Sequence, residues 1–298
     1  MRHVALASVL LVMAACTQGG DRTQSIAASG DHMFGTDANL APSAPDAVPR
    51  YAKHSRGFAE LRLPRGDGPF PLAVIFHGGC WKAGIANQAY MAPLATQWQD
   101  QGIATLNVDY REVGDGGGWP GSFADWSAAA RLIDEVATAH PIDRARVTLV
   151  GHSAGALPAQ WLAMEQDADG PLGARGAVTA RAAIVFDGPA DVGGEQAAFD
   201  ALCEFSAVDP FVGARGAERT NRLAAISPLG HAPKLEQLLF VQAVLPAPSS
   251  RVQVALRARG AVLEVSANPG VSHFAIITPG HDAYLANEHT LMRVLRGQ

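Results

Sequence analysis

Several large classes of protein are excluded by what this sequence lacks. It has no run of Lys and Arg, and its 298 residues carry a formal net charge of −5, so nothing electrostatic draws it to nucleic acid. HExxH, CxxC and closely spaced Asp/His sets are missing, which removes the usual metal-site patterns, and no metal is expected. GxGxxG is missing too, and the Gly-rich stretch "VGDGGGW" has neither the Lys nor the Thr of a phosphate loop, so no cofactor is expected. No repeat of fixed period is visible. There are only 3 cysteines, Cys16, Cys80 and Cys203. In an oxidising compartment Cys80 and Cys203 are permitted to pair, but two residues do not establish a bridge, and the free, partly buried state is the expectation.

What remains is a composition of 48% hydrophobic and 17% charged residues, that of a chain with a large core. The first sixteen residues, "MRHVALASVLLVMAAC", are set apart from that core. A short basic start, an apolar stretch too short to span a bilayer stably and a small-residue context read as a signal peptide, and hence as export to the periplasm, the outer membrane or the medium. "MAAC" resembles a bacterial lipobox, which implies lipidation of Cys16 and a membrane anchor. Residues 17–50 are small, polar and aperiodic, and read as a flexible tether.

The domain proper is expected over 51–298. "FAELRLP" alternates like a half-buried strand, and "PLAVIF" is a continuous apolar run suited to a strand covered on both faces. A helix around 87–101, the strand "GIATLNVDY", a helix over 123–138, the strand "ARVTLV" and the helix "AGALPAQWLAMEQ" follow. After the strand "ARAAIVFDG", residues 191–233 read as an irregular cap or lid. Two more strands, "KLEQLLFVQAV" and "AVLEVSA", flank a helix containing "RVQVALRARG", and a helix over 282–296 closes the chain. This alternation predicts an α/β fold with a mainly parallel central sheet, helices on both faces and a small cap.

Two glycine-rich stretches carry chemistry. Gly151-x-Ser153-x-Gly155 lies directly between a strand and a helix, the context of a nucleophile elbow. "HGGCW" (77–81) follows the strand "PLAVIF", where backbone N–H groups can point into the same site. The expected oxyanion donors are the amides of Ala154, Gly79 and Cys80, with Gly78 as the alternative. Trp81, Trp119, Phe123 and Trp126 cluster around these loops and suggest an aromatic mouth, although Trp126 reads equally well as helix core.

"HGGCW", "VDYR" (108–111), "GHSAG" and "NPGVSHF" (268–274), in this order, resemble the α/β-hydrolase superfamily. Within it they are similar to HGGxW esterases and kynurenine-formamidase-like (BD-FAE-like) serine hydrolases. The resemblance implies His273 as the base for Ser153. It also implies an acid after the penultimate strand, where this chain has none: no Asp or Glu lies between Glu236 and Glu264. Losing the carboxylate behind the histidine costs serine-hydrolase turnover roughly 10⁴-fold, so another acid is sought. Some lipases of this fold carry it at the end of the preceding strand, which points to Asp187. Asp191 is the second choice, and a cap residue such as Glu204 or Asp209, or no acid at all, remains open. The function implied is cleavage of a small carboxylic ester through an acyl-enzyme. An arylformamidase-like amidase and a non-catalytic binding lipoprotein are the alternatives.

Overall fold

Unbroken apolar runs become the middle of one sheet. The computed structural model describes residues 40–164, 172 and 179–298. Seven strands form the sheet: Ala59–Arg62 (β1), Phe70–Phe76 (β2), Ala104–Val108 (β3), Ile142–His152 (β4), Ala182–Phe186 (β5), Gln237–Gln242 (β6) and Val262–Ala267 (β7). Their spatial order is β1-β3-β2-β4-β5-β6-β7. β1 runs antiparallel to β3, and every other neighbouring pair is parallel.

Successive side chains of a strand leave on opposite faces, and β2 divides accordingly. Leu72, Val74 and Phe76 join one apolar cluster, and Ala73 and Ile75 join the other. Helices Gly121–Ala139 (α2), Ala156–Trp161 (α3) and Ser250–Arg257 (α7) bury residues in the first cluster, while Ala92–Asp100 (α1) and Asp282–Leu295 (α8) bury theirs in the second. Between β5 and β6 stand three short helices, Gln196–Cys203 (α4), Val208–Val212 (α5) and Gly216–Ala225 (α6), in the stretch expected to be irregular. The helix expected from 87 begins with a single 3-10 turn, Gln88–Met91, before α1. That expected over "AGALPAQWLAMEQ" is helical at Ala156–Trp161, and its last residues lie outside the described ones.

The tether ends earlier than expected. Residues 43–50, assigned to it from their composition, are laid along the sheet edge. Ala47 and Leu61 exchange backbone hydrogen bonds, the Leu61 amide donating at 2.8 Å, and the Ser43 hydroxyl donates to Gln99 at 2.7 Å. An extended Pro-rich segment still presents amides and carbonyls, and here an edge strand satisfies them. The signal segment, Cys16 and residues 17–39 lie outside the described residues.

Candidate active site

β4 runs into a single 3-10 turn, Ser153–Gly155, and from there into α3. Ser153 sits at φ 56°, the left-handed region that residues with side chains seldom adopt. A Cβ on Gly151 would stand 1.9 Å from the Gly155 carbonyl oxygen, and one on Gly155 would stand 2.1 Å from that of Phe76. Both positions therefore admit only glycine. Ser153 is 4% exposed, and it borders a cavity of about 550 Å³ together with Gly79, Cys80, His152, His273 and Phe274.

Asp187 ends β5, and the loop after β7 brings His273 to it. The His273 Nδ1–H donates to Asp187 Oδ2 at 2.7 Å. Asp187 is fully buried, and three amides of the segment after β6 turn inward to it: Ala243, Val244 and Leu245 donate to Oδ1 at 2.9, 3.0 and 2.8 Å. The loop that lacks an acid of its own thus cradles the acid of the neighbouring strand. Burial pushes the Asp187 carboxyl up, but the His273 hydrogen bond and the Ala243 and Val244 amides outweigh it and hold it below its usual value. The carboxylate fixes the tautomer, leaving Nε2 of His273 as the basic nitrogen. No hydrogen bond joins Ser153 Oγ to His273, a contact that in serine hydrolases commonly tightens only in the Michaelis or transition-state complex.

The other acids considered have different partners. Asp191 receives no hydrogen bond from His273; its carboxylate packs where a side chain on Gly194 would stand. Asp209 pairs with Arg219 at 2.9 Å and Glu264 pairs with Arg293. Glu204 borders the cavity without bonding to His273.

The loop after β2 turns left-handed over three successive residues, Gly79 (φ 112°), Cys80 (φ 53°) and Trp81 (φ 52°). Among the described residues, the amides of Gly79 and Cys80 meet no backbone acceptor, and the Ala154 amide stands in the short 3-10 turn directly after Ser153. The Gly78 amide is committed to the Tyr90 hydroxyl, which removes Gly78 as an alternative donor. His77 is buried and ties the loop, with Nδ1 2.6 Å from the Gly78 carbonyl and Nε2 3.1 Å from Asp109. Below the loop, the Arg56 guanidinium meets Asp109 at 2.8 Å, Glu112 at 2.9 Å and Asp115 at 3.3 Å. Burial pushes the Glu112 carboxyl up to about 9 in spite of Arg56.

Two expectations are corrected here. Cys80 and Cys203 are not free: they form a disulfide that joins the oxyanion-type loop to the end of α4. The two cysteines, 123 residues apart in sequence, meet where Trp81 packs against α4 and α5. Its ring packs on Phe199 and Phe211 at centroid distances of 4.8 and 4.3 Å, and its Nε1–H donates to the Ala154 carbonyl at 3.0 Å. The expected aromatic mouth is the second correction. Trp81, Phe123 and Trp126 are buried in the core beneath α4 and α5, because large rings lose most water by packing on one another. The apolar lining of the cavity comes instead from Ile85, Ala86, Leu202, Phe205 and Phe274.

A parallel sheet of this order, with a strand–serine–helix turn at its centre and the Asp and His loops at the same edge, defines an α/β-hydrolase fold. The family model BD-FAE matches residues 60–242, and the chain belongs to that family. Solved structures agree on the fold. A truncated carbohydrate esterase from gut microbiota is 19% identical, with TM-score 0.64, over 86% of this chain and 96% of that one. Esterase 2 of Thermogutta terrifontis is 21% identical, with TM-score 0.61, over 84% of this chain and 93% of its own. The same enzyme has also been solved phosphorylated by paraoxon, at 20% identity and TM-score 0.62 over 85% of this chain and 95% of that one. No curated protein sequence matches.

Proposed function

We propose that this protein is a serine hydrolase that cleaves small carboxylic esters through an acyl-enzyme. Ser153 attacks the ester carbonyl while His273 Nε2 takes its proton, and Asp187 holds the imidazole in the required tautomer and stabilises the imidazolium. The developing oxyanion is received by the amides of Ala154, Gly79 and Cys80. His273 then protonates the departing alkoxide and activates the water that releases the acid. The observation that carries this reading is the 2.7 Å hydrogen bond from His273 to the buried Asp187, beside the cavity that Ser153 borders. The likeness of the fold to solved esterases supports it. An oriented histidine also speaks against a binding protein with a degraded site, and no observation favours the formamidase reading.

The cavity, whose polar side chains are Ser153, the two histidines, Tyr90 and Glu204, suits a short acyl or aryl group. Incubation with a fluorophosphonate probe and with short-chain aryl esters, beside Ser153→Ala, tests the reading. Labelling and turnover that vanish in the variant are expected, and their absence from the unmodified protein would overturn the proposal. Export remains part of it: the signal-like start and the Cys80–Cys203 bridge both suit an oxidising compartment. Incorporation of a tagged fatty acid, lost in Cys16→Ser, tests the lipid anchor.

A further inference from the structure

A chain of hydrogen bonds passes behind Ser153 from one side of the site to the other. It starts at the Gly78 amide, which donates to the Tyr90 hydroxyl. The Tyr90 hydroxyl lies 2.9 Å from His152 Nδ1, and His152 Nε2 lies 3.0 Å from the carbonyl oxygen of His273. Every proton in this chain is assigned by its ends. A carbonyl only accepts, so Nε2 of His152 carries the hydrogen. An amide only donates, so Tyr90 receives from Gly78 and passes its own hydrogen to Nδ1.

The two side chains of the chain are enclosed: His152 is fully buried and Tyr90 is 8% exposed. Burial and the neighbouring His273 hold the His152 imidazole well below its usual value, so it stays neutral, as the chain requires. Its ring also lies against that of His273, tilted by 38° with centroids 4.3 Å apart. A neutral ring is what that place demands, because His273 becomes cationic when it takes the Ser153 proton and a second cation there would oppose it.

We infer that Tyr90 and His152 are positioning residues that set the distance between the Gly78–Cys80 loop and the His273 loop across Ser153. The inference rests on the serine-hydrolase reading above. Neither side chain touches the reacting atoms in this role. Tyr90 sets where the amides next to Gly78 point, and His152 sets where the backbone of His273 stands. Oxyanion donors and base are useful only if both reach the same tetrahedral centre, so a fixed spacing acts on the transition state more than on the bound substrate.

Steady-state kinetics on an aryl ester in Tyr90→Phe, His152→Phe and the double variant test this. Tyr90→Phe keeps its ring and loses the hydroxyl, His152→Phe puts a phenyl ring without hydrogen-bonding nitrogens in place of the imidazole, and thermal unfolding with fluorophosphonate labelling confirms that the fold and Ser153 are intact. For each single variant kcat is expected to fall roughly ten- to a hundredfold, with KM within about twofold. The double variant is expected to fall no further than the worse single one, because one chain is broken either way. A Tyr90→Phe enzyme with unchanged kcat, a loss confined to KM, or losses that multiply in the double variant would each overturn the inference. Inertness of the unmodified protein would instead overturn the hydrolase reading beneath it.

Discussion

On the His273 side of Ser153 the Asp187 carboxylate is held by the backbone amides of residues 243–245, whereas the His77–Trp81 loop opposite is held by side chains of Tyr90, Asp109 and Phe211 and by a disulfide. The contrast teaches where each side is vulnerable. Amides carry no titratable group and survive almost any side-chain change. A loop held by side chains can fail by single substitution, by reduction or by a shift in buried charge, and the Arg56 cluster beneath it concentrates three carboxylates on one guanidinium.

The comparison is broken most severely on the amide-held side by changing the one side chain that matters there. Asp187→Asn keeps an oxygen for the three amides but can no longer hold Nδ1–H of His273 as a carboxylate does. We expect kcat for an aryl ester to fall by about 10⁴ with the unfolding transition preserved; full activity would remove Asp187 from the triad. On the loop side, reduction by a dithiol, or Cys203→Ser, frees the Cys80 backbone. Stability is expected to drop by about 2–5 kcal/mol, and turnover by roughly tenfold to a hundredfold as the amide donors lose their place. Denaturant unfolding and aryl-ester kinetics in both redox states decide it, and unchanged turnover on full reduction would show that the loop holds itself.

The smallest effect sharpens the contrast from within the segment that follows Asp187. Glu195 accepts from the Ala190 amide at 2.8 Å, and burial raises its carboxyl from 4.5 to about 7. The folded state therefore binds more protons than the unfolded one between those values, so stability falls as pH rises through that window. Glu195→Gln keeps an acceptor for Ala190 and removes the titration. Its melting temperature relative to the unmodified protein should rise by roughly 2–5 °C between pH 4.5 and pH 8. A difference that is the same at both pH values would refute this.

Much of this arrangement was legible in the sequence wherever the constraint is local. Gly151 and Gly155 mark the elbow because only hydrogen fits there, and the inner strands β2, β3, β5 and β6 read correctly because they are buried on both faces. The absence of an acid between Glu236 and Glu264 directed attention to Asp187, which the structure brings to His273. What could not be read depends on distant segments meeting. The Cys80–Cys203 bridge needs the helices between β5 and β6 to fold back onto Trp81. The aromatic residues near the two loops read as a mouth because sequence proximity does not reveal which side of a loop a ring faces. Tyr90 carries no motif signal and His152 only its place inside the Gly151-x-Ser153 turn, and their roles come from partners 12 to 121 residues away.

The cradle around Asp187 also bears on how such a site changes over generations. The acid belongs to one strand and its donors to the next, and the donors are main-chain groups. The exposed Val244 is thus free to drift in identity, proline excepted, since it alone lacks the N–H, whereas Leu245 is also held by its place in the core. A lineage holding this loop can change its exposed side chain while the charge behind His273 stays where it is.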